Sequence, residues 1–177
     1  PETSVEVRAE ATYRRGDLQE ALGLLEGVES LRAQRLRAQT LEELGRFREA
    51  SRAIEGMIES IDVEQLASAE GSTELARALG IRARLEGEPA AYYQKVIQLL
   101  SDAHQKYDRL YWPALLVEAE LLFSKSNSKE GTEAVIDVLR RNPACAEAWA
   151  LLGTWNVLTF NFENAVKIAD RLDRLTR

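Results

Sequence analysis

AQTLEELGRFREA, running from Ala38 to Ala50, is the stretch on which the fold turns. A small residue, Ala38, is followed at seven positions by Gly45, two further on by Phe47, and closes at Ala50. The same spacing recurs upstream in AEATYRRGDLQEA, with Ala9, Gly16, Leu18 and Ala21. It recurs again near the other end in GTWNVLTFNFENA, with Gly153, Phe160, Phe162 and Ala165. The physics of the spacing is that of two short helices joined by a tight turn. The first small residue lets one helix approach its partner, and the turn position takes the left-handed conformation that ends the helix. The aromatic or leucine packs back across the turn, and the closing alanine sits where two backbones cross.

Composition agrees with helices throughout. Hydrophobic residues make up 45% of the 177 and charged residues 29%, so a core can form on a well-solvated surface. Four prolines and ten glycines are few for this length, and the dominant Ala, Leu, Glu and Arg are good helix formers. No alternating β-branched run suggests a sheet. The expected helices are 3–15 with 17–29, 31–44 with 47–60, 73–86 with 89–106, 111–125 with 129–141, and 145–158 with 161–175. Ala-Glu-Gly-Ser-Thr at 69–73 reads as a break, with Ser72 or Thr73 capping the helix that follows.

The pattern resembles the tetratricopeptide repeat over nearly the whole chain. That signature combines a tryptophan, Leu-Gly, a tyrosine, a small residue, an aromatic, an alanine and a late proline. Trp149, Leu152, Gly153 and Ala165 match it in the last frame. Thirty-four residues earlier Trp112, Ala119, Gly131 and Pro143 match it again. A middle frame fits at Leu79, Gly80 and Gly87, although Tyr92 falls where a small residue is expected. The resemblance implies an all-α fold, a right-handed superhelical stack of antiparallel helix pairs, with about five repeats in one domain over residues 1–177. The frames are 2–30, 31–62, 73–107, 112–145 and 146–177, with an insertion at 63–72. The chain is expected to be a piece of a longer protein.

In such arrays the first helix of each pair lines a concave groove, through its positions two, five, nine, twelve and thirteen. Carried onto this sequence, the groove takes Thr3, Glu6, Glu10, Tyr13 and Arg14, then Arg32, Arg35, Gln39, Glu42 and Glu43. From the third frame it takes Glu74, Arg77, Arg84 and their neighbours, and from the fourth Phe123. The site expected to bind a peptide is Tyr13, Arg32, Arg35, Gln39, Arg77, Arg84 and Phe123. Four of these are arginines, whose planar forks suit carboxylates. Arg35 and Gln39 echo the basic residue and amide with which some relatives hold a peptide's C-terminal carboxylate, but Glu74 stands where a further base belongs. The competing reading pairs the arginines with Glu42, Glu43 and Glu74 along solvated helix faces. In the fifth frame the groove positions include Ala150, Thr154, Val157 and Leu158, an apolar surface expected either to pair with a second copy or to lie under a further helix.

Chemistry beyond binding finds little to work with. Cys145 is the single cysteine and His104 the single histidine, which removes most metal and acid–base constellations, and no cofactor is expected. Gly71-Ser-Thr lacks the lysine and spacing of a phosphate loop. A net charge of −6 and a pI near 5.0 count against a nucleic-acid partner. No apolar run approaches the ~20 residues of a membrane span. Trp112, Trp149 and Trp155 read as packing residues. The expected role is a scaffold or adaptor for a protein or peptide, without catalysis of its own. A self-association module and a regulatory segment of a larger enzyme are the alternatives. The cytoplasm is the expected compartment, with the periplasm left open because the chain begins at Pro1 rather than a methionine.

Overall fold

The computed structural model describes the backbone of residues 2–176 and the side chains of 5–175. Among these residues there are α-helices and no strands. Pairs form in chain order: α1 (Glu2–Arg14) with α2 (Leu18–Leu24), and α3 (Leu31–Glu43) with α4 (Phe47–Ser60). A single turn, α5 (Val63–Leu66), precedes α6 (Ala69–Glu86) and α7 (Pro89–Ser101), and α7 runs on into a π-helical segment, Asp102–Tyr107. Then α8 (Trp112–Ser124) pairs with α9 (Ser128–Arg141), and α10 (Ala146–Leu158) with α11 (Phe162–Thr176).

One local device ends the first helix of each pair. Gly16, Gly45, Gly87, Ser126 and Phe160 all have positive φ, between 59° and 87°. In each case the next N–H reaches back to a carbonyl five residues earlier: Asp17 to Thr12, Arg46 to Leu41, Glu88 to Ala83, Asn127 to Leu122, Asn161 to Asn156. This is the left-handed helix stop, in which one turned residue satisfies carbonyls the helix would leave open. The spacing in the sequence therefore corresponds to five equivalent turns. Only three of them use glycine, and a bulky Phe160 in that conformation carries a steric cost of about 1–2 kcal/mol.

The small residues lie where close approach demands them. Ala9, Ala21, Ala38, Ala50 and Ala119 are completely buried. A side chain on Gly153 would meet Ile168 of α11 at 3.1 Å. Around them the core falls into local clusters, each built by neighbouring pairs. Ala9 and Leu25 pack with Ala33 and Leu36, and Ala38, Ile54 and Met57 pack with Ala78 and Ile81. Leu115, Leu116 and Ala119 pack with Val135, Val138, Cys145 and Ala148. Each fully buried Leu or Ile contributes about 1.5–3 kcal/mol.

The insertion departs from the sequence expectation. Ser72 and Thr73 do not cap α6 but lie inside it, buried, with their hydroxyls donating to Leu66 O and Ala69 O at 2.8 and 2.7 Å. The cap is Ser68, whose Oγ accepts from Gly71 N at 2.9 Å. Asp62 and Gln65 form a reciprocal capping box on α5. The chain divides into two compact units, residues 1–99 and 100–177, which are treated separately below.

Candidate functional site

In the first unit α3 packs against both α1 and α6, so the first helices of three successive pairs lie side by side. Polar side chains along them are joined into a network. Arg35 Nε donates to Glu74 Oε2 at 2.7 Å, linking α3 to α6, and Arg35 is only 4% exposed. Its Nη1 donates to Gln39 Oε1 at 3.0 Å, and Gln39 Nε2 donates to the Tyr13 hydroxyl at 2.7 Å. Tyr13 in turn donates to Glu43. Burial pushes the Tyr13 hydroxyl well above its ordinary range, and the Glu43 carboxylate adds to the effect; Tyr13 is therefore a neutral donor at physiological pH.

Three of the four arginines of the expected site have carboxylate partners. Arg32 pairs with Glu10, which also takes Arg14 at 2.6 Å. Arg35 pairs with Glu74, and Arg84 grips Glu42 through two bonds of 2.8 and 2.7 Å. Burial raises the Glu10 carboxyl, but Arg32 and Arg14 together outweigh it and hold it below the ordinary carboxylate value. Arg77 differs: its Nε is buried and has no hydrogen-bond partner among the described residues. Of the expected first-unit residues, Tyr13, Arg35 and Gln39 form one bonded chain, Arg32 and Arg84 lie on the same helices in pairs of their own, and Arg77 stands one turn beyond Glu74. The side chain of Thr3 lies outside the described residues.

In the second unit Phe123 stacks on Trp155 at 4.8 Å between ring centroids and covers Gly131. Trp112 packs against the same cluster. Ala150, Thr154, Val157 and Leu158 are all exposed. Phe160, Phe162 and Val166 are exposed as well, at 80%, 58% and 60%, and the Phe160 and Phe162 rings meet edge to face. The sequence reading did not include those three; the signal was Phe162 and Val166, one helical turn apart on one stripe of α11. His104 Nε2 lies 3.1 Å from Glu118 Oε2. Burial pushes the Cys145 thiol up, which leaves it a packing residue rather than a nucleophile. Among the described residues no group of three or more His, Cys, Asp or Glu is placed to hold a metal ion. No described helix is long and apolar enough to cross a membrane.

No protein-family model and no curated protein matches the sequence. Solved structures do. A thermophilic TPR protein of Thermus thermophilus aligns over 99% of both chains at 15% identity, with a TM-score of 0.65. The fold is that of the tetratricopeptide repeat. MamA from Desulfovibrio magneticus RS-1 aligns over 99% of this chain and 95% of its own at 15% identity, TM-score 0.54. A further MamA crystal structure aligns over 95% and 94% at 16% identity, TM-score 0.53. The network above lies on α1, α3 and α6, the helices ended by the turns at Gly16, Gly45 and Gly87.

Proposed function

We propose that this chain is a protein-interaction module whose first unit binds a partner peptide along α1, α3 and α6, and that the five frames marked by the left-handed turns are its repeats. The observation that carries the reading is Arg77. Its Nε is buried without a partner, which costs about 1–3 kcal/mol, and the side chain as a whole is only partly buried, so its charge can be offered to a ligand carboxylate. The remaining groove arginines are already neutralised, so the groove as a whole offers little net charge. Recognition then rests on one open cation flanked by a pre-organised row of polar groups, Tyr13, Gln39 and Arg35. Arg35 holds α3 on α6 through Glu74, and breaking a buried pair of this kind costs about 3–5 kcal/mol. We therefore assign Arg35 to shaping the groove and Arg77 to contacting the ligand, a peptide with an acidic side chain or C-terminus.

The test is fluorescence polarisation of the whole chain against a panel of labelled acidic peptides. Peptides that bind the native chain are expected to lose about tenfold or more in affinity with Arg77→Glu. Arg46→Glu, on the opposite helix layer and paired with Glu49, should leave them bound. Equal affinity for the native chain and Arg77→Glu would sink the assignment.

A further inference from the structure

The π-helical segment Asp102–Tyr107 winds wider than α7 before it, and Asp108 N reaches back five residues to Ala103 O at 3.0 Å. Segments of this kind recur at functional sites. Here His104 and Gln105 line an open cleft of about 450 Å³ with Arg109, from the turn that follows, and Arg141, from the last turn of α9. That turn is closely bonded. Asp108 Oδ1 accepts from Leu110 N at 2.9 Å, Tyr111 N donates to Asp108 O at 3.1 Å, and Trp112 N donates to Leu110 O at 2.8 Å. Arg109 therefore stands on a fixed backbone. Arg141 Nη1 donates to the backbone Asp137 O at 3.1 Å, while the Asp137 carboxylate takes Arg140 at 2.7 Å. Glu118 is engaged by His104 Nε2 at 3.1 Å. Neither Arg109 nor Arg141 has a carboxylate partner among the described residues, and His104 Nδ1 has no partner there either.

We propose that this cleft binds a phosphate monoester. Such a group carries about −1.5 to −2 charge at neutral pH and three strong acceptor oxygens. That matches two uncompensated guanidiniums, with the Gln105 amide and the open nitrogen of His104 beside them. A carboxylate is the poorer match, because its single charge and two oxygens are satisfied by one guanidinium fork. In a chain of net charge −6, a dianion is drawn only to places where cations are left unpaired. The cleft is wider than the anion and leaves room for the side chain that carries it. Both arginines are exposed, so binding weakens as salt rises. Free phosphate and a phosphorylated protein side chain share this chemistry. The cleft belongs wholly to the second unit, so it stands or falls independently of Arg77.

The probe is a labelled peptide with one phosphoserine in an otherwise uncharged sequence, titrated into the whole chain at about 0.15 M salt, with its unphosphorylated twin alongside. Saturable binding is expected for the phosphopeptide alone, weakened tenfold or more when Arg109→Glu and Arg141→Glu are combined. Both side chains are exposed, so circular dichroism and melting of this variant should match the native chain. Lys167→Glu, on α11 and paired with Glu163 in the native chain, and Arg77→Glu reverse a charge elsewhere and should leave binding intact. Competition with inorganic phosphate separates the sources. Displacement only at far higher concentration than the peptide supports a phosphorylated protein, and displacement at equal concentration supports the free ion. The proposal is overturned if neither probe binds, if the two peptides bind equally, or if the paired variant binds as the native chain does.

Discussion

Glu10 sits between two guanidiniums, Arg32 from α3 and Arg14 one turn along its own helix. Its carboxyl is held below the ordinary value, so the ionised form is favoured by folding. The sign follows from linkage: the contribution is complete at pH values above the ordinary carboxylate range and is lost as pH falls through the lower folded value. Glu10→Gln should therefore lower the melting temperature at pH 7, with the gap to the native chain narrowing as the pH falls below about 4. A gap that stays constant across that range would mean the pair does not stabilise the fold. Local signals of this scale were readable in the sequence at Gly16 and Gly45, where the residue itself announces a left-handed turn. Partner choice was not. That Arg35 takes Glu74 and Arg77 is left with an open nitrogen depends on side chains brought together from thirty-nine or more residues apart, and helix-face positions alone do not rank such partners.

Among the elements, the junction between α5 and α6 shows where sequence reasoning stopped short. Ser68, Ser72 and Thr73 are equally good caps by residue type, and choosing among them requires knowing where α5 ends. The deciding residue is Gly71. A side chain there would lie 1.9 Å from Gln65 O, and that contact is with backbone that cannot rotate away. Gly71→Ala is expected to cost at least the ~1–3 kcal/mol typical of overpacking, read as a lower urea midpoint. Gly56→Ala, with nothing near its added methyl, is the control and should hold or raise it. An unchanged midpoint for Gly71→Ala would mean α5 does not pack against α6 as described. The helices elsewhere were legible because their apolar residues recur at three and four and their turns are short. The π-helical segment after α7 had no such mark, since His104 and its neighbours satisfy an ordinary helical pattern equally well.

For the molecule as a whole, stacking is the principle: a helix pair buries its apolar face only against its neighbours. This accounts for core clusters that each span successive pairs. It also places α1, α3 and α6 side by side, and this is the surface proposed to bind a peptide. The repeat class was legible from three thirteen-residue stretches, because spacing alone encodes the crossing points and turns. The proposed binding surface was legible only as a set of positions, because its charge depends on which arginines find carboxylates. The most direct test is an amide-resonance titration of the whole isotopically labelled chain with an acidic peptide that binds it. The account predicts that the largest shifts fall on Arg77, Gln39 and Tyr13 and their neighbours on α1, α3 and α6. Shifts confined to α2 and α4, with those three residues unmoved, would contradict it.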